Sequence, residues 1–148
     1  MGKFQDLKVW QRAKNLAVSM HKITGEGPFG KDWALRDQIR RATVSIPSNI
    51  AEGDELGTDR QAVKFFYTAK GSAAEVLTQS IIAQEIGYLT KEQFHHISEE
   101  CLGISAMLAK LISARATRTV HGAAYSAEVA SATKAGRDTA HGKNQDNQ

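Results

Sequence analysis

The chain is poor in the residues that staple, break or anchor a fold. Its single cysteine, Cys101, excludes an internal disulfide and suits a reducing compartment. Only two prolines, Pro28 and Pro47, force any interruption of a helix. No apolar run approaches the roughly 18 residues of a membrane span. The opening Met1-Gly2-Lys3-Phe4-Gln5-Asp6 has no apolar signal-peptide centre. A cytoplasmic protein without membrane contact is therefore expected. Chemistry is equally sparse. His95 and His96 are adjacent and so point to different helix faces, and with His21 they lack the four-residue spacing of a bundle metal site. No glycine-rich phosphate loop, catalytic carboxylate pair or Ser/His/Asp set can be assembled. These absences argue against an enzyme, a metal site and a bound cofactor.

What remains is a helical composition. Apolar residues make up 41% of the 148, enough for one domain with a sizeable core, and alanine is abundant. The net charge of +3 and pI near 9.1 are compatible with a nucleic-acid partner but do not require one.

Apolar periodicity predicts four helices. The first covers about residues 6–24, with Asp6 as N-cap and Leu7, Trp10, Ala13, Ala17 and Met20 along its buried stripe. The segment Gly25-Glu26-Gly27-Pro28-Phe29-Gly30 breaks it. The second starts at Asp32 as N-cap, and Leu35, Ile39, Ala42, Ile46 and Ile50 keep phase through Pro47. That predicts one kinked helix, ending around Gly53. Thr58 with Gln61, and Thr90 with Gln93, form capping boxes that open the third and fourth helices. In the third, the mid-helix pair Gly71-Ser72 predicts close approach of another backbone. In the fourth, Phe94, Ile97, Cys101, Ile104, Leu108 and Ile112 form the core stripe. The short link Gly87-Tyr88-Leu89 makes the last two helices antiparallel neighbours. The expected fold is all-α, an antiparallel up-down-up-down four-helix bundle with a kinked second helix. It occupies residues 1–115. Residues 116–148 have no apolar face to dock them and read as a polar, disordered or loosely attached tail.

The block from Gln38 to Gly53, with Arg40-Arg41 ahead of Pro47-Ser48-Asn49, is the most distinctive part of the chain. Together with Phe4, Leu7, Trp10, Phe65, Gly71 and Gly87-Tyr88-Leu89, it resembles the four-helix bundle proteins encoded in intervening sequences of bacterial 23S ribosomal RNA genes. That family includes relatives of the accessory protein of diversity-generating retroelements. The resemblance covers about residues 4–115 and implies a homopentamer around a central channel, with RNA, DNA or a reverse transcriptase as the kind of partner. Two departures are the glycine-rich link at residues 25–30 and the long tail.

Three groups of residues are candidates for function. Arg36, Arg40 and Arg41 share a helix region and can bind phosphate through guanidinium forks, or can pair with Asp32, Asp37, Glu52, Glu75 or another subunit. Leu102, Gly103, Ala106 and Ala109 lie off the core stripe of the fourth helix and offer a small-residue oligomer interface. Pro47, Ser48, Asn49 and Glu52 are assigned a structural role, the polar side chains satisfying backbone groups near the proline. The expected function is that of a non-catalytic homo-oligomeric interaction protein with basic residues available to nucleic acid or to a nucleic-acid enzyme. The alternative is a scaffold oligomer that binds another protein with no nucleic-acid contact.

Overall fold

The computed structural model describes the backbone of residues 3–141 and the side chains of residues 3–134. A 3-10 turn, Phe4–Asp6, leads into α1 (Lys8–Ile23). A short helix, α2 (Gly27–Lys31), and then α3 (Trp33–Glu55), α4 (Asp59–Glu85) and α5 (Lys91–His141) follow. The four long helices form a closed ring of neighbours, in which α1 packs on α3, α3 on α4, α4 on α5 and α5 back on α1. Among the described residues there is no strand, and no helix is long and apolar enough to cross a membrane.

The apolar stripes meet in one core. Leu16, Met20, Ile39, Ile46, Ile50, Phe66, Val76, Ile97, Ile104 and Leu108 are all completely or almost completely buried there. Burying each of these side chains contributes about 1.5–3 kcal/mol relative to leaving it in water. Cys101 lies among them, and burial, with a smaller contribution from Glu100, pushes its thiol up to about 12. At neutral pH it is a small apolar filler and not a nucleophile.

The caps explain where the helices begin. Asp32 accepts the Leu35 N–H at 3.1 Å, and its other oxygen accepts the Tyr88 hydroxyl at 3.1 Å. At the start of α5 the box is reciprocal: Gln93 N–H donates to Thr90 Oγ1 at 3.1 Å, and Thr90 N–H to Gln93 Oε1 at 3.0 Å. Before α4, Thr58 accepts the Gln61 N–H at 3.3 Å, but its hydroxyl donates to the Gln61 side chain at 2.9 Å, so only half of that box forms.

Four local expectations are corrected. Asp6 is not the N-cap of α1: it closes the preceding 3-10 turn, and Leu7 takes the cap position without a side-chain bond. The segment after α1 does more than break it. Gly27, at φ 62, admits the one-turn helix α2, which buries Phe29 beneath Tyr88 with ring centroids 5.3 Å apart. Gly71 faces open space on the outside of α4, while the close approach of two helices occurs at Gly53. A Cβ there would stand 2.8 Å from the Phe66 ring and 3.1 Å from the Ala62 carbonyl. Finally, α5 does not stop near Arg115. Alanine-rich sequence keeps the backbone helical to His141 although residues 116–134 are all exposed. The remainder of the expected tail, 142–148, lies outside the described residues.

Pro47 sits inside α3 without ending it and is buried. The polar residues beside it act on the backbone. Ser48 Oγ donates to the Val44 carbonyl at 2.9 Å, and Asn49 Nδ2 to the Ser45 carbonyl at 2.8 Å. Glu52 is exposed.

Gly53→Ala places a methyl group against an immobile ring and a backbone carbonyl. We expect a loss of about 1–3 kcal/mol in denaturant unfolding. Wild-type stability in that variant would show that α3 and α4 separate without penalty.

Candidate functional site

Two of the three candidate arginines tie helices together. Arg40, two turns into α3, donates from Nε to Thr24 Oγ1 at 2.7 Å and from Nη2 to the His21 carbonyl at 3.1 Å. It thereby binds the end of α1, where carbonyls lack partners within the helix and carry the negative end of its dipole. Buried Thr24 passes the contact on, its hydroxyl donating to the Met20 carbonyl at 2.7 Å. Arg36 donates to the Gly30 carbonyl and to Asp37, each at 3.0 Å, and lies 6.0 Å from the Trp33 ring centre. Arg36 and Arg40 thus hold the α1–α2–α3 corner. Arg41 is exposed on another face of α3, with a single 3.3 Å bond to the Asp37 carbonyl.

Arg41 edges a polar seam between α3 and α4. With Gln38, Ala42, Ser45 and Glu75 it lines an open cleft of about 410 Å³. Behind the cleft Ser45 and Ser72 share a hydrogen bond at 2.9 Å, and Asn49 Nδ2 reaches Ser45 Oγ at 2.9 Å. Gln79 spans towards Gln38 and Glu75 at 3.5 and 3.4 Å, and its Oε1 is buried without a partner among the described residues. The distinctive block of α3 therefore places Ser45 against Ser72 of α4 and its isoleucines in the core.

A second cleft, of about 570 Å³, opens between α1 and α3. Ala17, Val18, Val44 and Pro47 make its floor, and Lys14, His21 and Lys22 its edges. Its lining contains no carboxylate. The sequence reading missed it, because its residues lie 30 positions apart on two helices and each is unremarkable alone.

A third cluster, also missed, closes the end of the bundle. Arg115 donates to Asp54 at 3.0 Å and to Asp59 at 3.1 Å, while Arg118 grips the same Asp59. Hydrogen bonding from Arg118, then from Arg115, holds the Asp59 carboxyl below its ordinary range despite partial desolvation. These groups line a cavity of about 720 Å³ with Lys3, Asp6 and Leu7. The arginines are neutralised by carboxylates, so the cavity is not an anion site.

The small-residue patch on α5 divides. Leu102, Ala106 and Ala109 face outward and are exposed. Gly103 faces α1 and lies under the Arg12 guanidinium, which pairs with Glu100 through two bonds of 3.0 Å. A side chain at 103 would displace Arg12. The Arg12 hydrogen bonds hold the Glu100 carboxyl below its ordinary range, and Glu100 raises the guanidinium in turn. Among the described residues no group of three or more His, Cys, Asp or Glu is placed to hold a metal.

Comparison with known proteins agrees with this architecture. The sequence model of the family described as 23S rRNA-intervening sequence protein matches residues 5–110. A solved structure from Bacteroides thetaiotaomicron, a protein of unknown function from the S23 ribosomal protein family, superposes with a TM-score of 0.65 at 22% identity. The match covers 70% of this chain and 97% of that one. At that identity the likeness concerns the fold. No curated protein matches the chain.

Replacing Arg40 with alanine strips two bonds from the end of α1 and should cost about 1–2 kcal/mol in thermal or denaturant unfolding. Arg41→Ala should stay within about 0.5 kcal/mol. Equal effects would contradict the division of roles. Acid should also weaken the bundle. Asp59 and Glu100 have lowered folded-state pKa values, so their contribution is present above the unfolded carboxylate range, near pH 4, and is lost as pH falls through the folded values. Glu100→Gln should flatten part of that acid limb in a pH series of melting temperatures, and an unchanged slope would count against it.

Proposed function

The chain belongs to the 23S rRNA-intervening sequence protein family, and from that premise we propose that it is a non-catalytic protein that works as a homo-oligomeric scaffold. One observation carries this reading: an uncovered apolar stripe across the outer faces of α4 and α5. On α4, Tyr67, Ala74 and Ile81 recur every seven residues, all exposed, with Tyr67 at 59%. On neighbouring α5, Leu102, also 59% exposed, and Ala109 repeat at the same interval, with Ala106 between them. A seven-residue apolar repeat is the pattern that seats one helix against another, and a solitary bundle gains nothing by leaving it in water. Gly71 lies on the same outer face of α4, where its lack of a side chain serves no contact within the chain. The family resemblance favours five copies. Buried Cys101 suits a reducing, cytoplasmic setting.

Contact with RNA, DNA or a nucleic-acid enzyme such as a reverse transcriptase is the second reading. Arg41 supports it, together with Lys14 and Lys22 on the carboxylate-free edges of the α1–α3 cleft. Arg36 and Arg40, first considered for this role, are engaged in holding the bundle. Repetition around an oligomer axis would multiply a weak cationic contact.

Light scattering should find the parent as an oligomer at micromolar concentration, and Leu102→Glu or Ala106→Glu should reduce its mass with helicity intact. A monomeric parent rejects the scaffold. An unchanged mass in both variants moves the interface elsewhere. For the second reading, binding to a single-stranded RNA oligonucleotide should weaken steeply with added salt. It should also weaken in the Lys14→Gln, Lys22→Gln, Arg41→Gln triple variant. No salt-sensitive affinity in the parent leaves the scaffold as the sole reading.

A further inference from the structure

The cleft between α1 and α3 and the free end of α5 are both uncovered apolar features, and they match. We propose that the cleft receives the projecting end of α5 from a second copy of the chain, with Tyr125 and Val129 on its floor and Glu128 towards its lysines. This contact is separate from the outer stripe of α4 and α5.

The projecting helix needs a partner. From Ala116 onward no residue through Lys134 is covered by the bundle. Its alanines are diluted by two glycines and several valines and threonines, and helices in proteins derive most of their stability from packing an apolar face. This one has such a face. Tyr125, 70% exposed, and Val129 are four residues apart and therefore adjacent on one side. Gly122, one turn before Tyr125 on the same side, has open space where a side chain would stand. A mid-helix glycine costs about 1 kcal/mol against alanine and is best explained by something that must come close.

The receiving surface is complementary. Val18 and Val44 are each nearly half exposed over a floor completed by Ala17 and Pro47. The charged groups at its edges are Lys14 and Lys22, with His21 beside them. Glu128 projects next to the Tyr125–Val129 stripe, whereas Lys134 falls on the opposite side of the helix and Arg118 is held by Asp59. The approaching face thus brings a carboxylate to a cationic rim.

The occupant must come from another molecule. Helix α5 packs on α1 and α4, and the cleft lies on the α1–α3 side. The helix runs without a break to His141, so it cannot turn back onto its own cleft. One surface meeting a different one is a head-to-tail contact, which closes into a ring or propagates as a filament. The family match covers residues 5–110, so the cleft lies within the shared bundle and the projecting arm lies beyond it.

The test uses two full-length variants, Val18→Cys and Val129→Cys, with a short bismaleimide. Native Cys101 stays silent because it is buried. An equimolar mixture should give cross-linked dimer at least about tenfold above either variant alone, and adding Tyr125→Asp or Val44→Asp should remove that excess, as expected for loss of an apolar contact. Equal yields in the mixture and the single variants overturn the proposal. So does a mixture that fails to cross-link while Val44→Asp lowers affinity for a single-stranded RNA oligonucleotide, which would make the occupant a polyanion. Adding Leu102→Glu separates this contact from the outer stripe. Cross-linking that persists while the larger assembly is lost supports a distinct tail contact, and loss of both together overturns it.

Discussion

The close seating of α3 on α4 at Gly53 governs one whole end of the molecule. Because position 53 has no side chain, the Phe66 ring can lie against the α3 backbone. The Arg115 guanidinium then stands 5.9 Å from the centre of that ring and reaches Asp54 on α3 and Asp59 on α4. Arg118, one turn later, takes the same Asp59. The chain of contacts from a missing Cβ to an aromatic ring to two arginines fixes where α5 leaves the bundle and therefore where its free end points. A larger residue at 53 would reach all of these contacts through Phe66.

The arginines show how position decides the work of one residue type. Arg12, Arg36, Arg40 and Arg115 each bridge two elements, and their partners within about 3 Å are carboxylates, main-chain carbonyls and, for Arg40, the Thr24 hydroxyl. A guanidinium with five donors suits such corners, because it can satisfy several orphan carbonyls at once. Arg41, one residue beyond Arg40, points away from the α1–α2 corner and keeps most of its donors for solvent or a partner. Arg36 and Arg40 have donors committed to contacts within the bundle, which is why the scaffold reading stands ahead of nucleic-acid contact.

Local chemistry carried much of the fold. The helix starts at Asp32 and Thr90 were legible because a side-chain oxygen three residues before an N–H is a strictly local geometry. The core stripe through Pro47 was legible because Ile39, Ile46 and Ile50 keep helical phase across the single lost hydrogen bond. The candidate site was less legible. Whether Arg40 bound phosphate or paired within the protein stayed open until the end of α1 stood beside it. Gly103 looked like an outward-facing small residue until Arg12 covered it. The α1–α3 cleft had no linear signature at all.

The sequence by itself determined the four long helices of the bundle, their order, their antiparallel links and the identity of the buried stripes, since each depends on spacing within a few residues. It also marked residues beyond 115 as lacking cover. Only the tertiary structure decided which glycine permits close approach and which arginines are engaged. The physical reason is the same in each case. Periodicity specifies which face of a helix is apolar, but the neighbour that face meets, and the polar groups left at its edges, depend on how the helices rotate and shift against one another in packing.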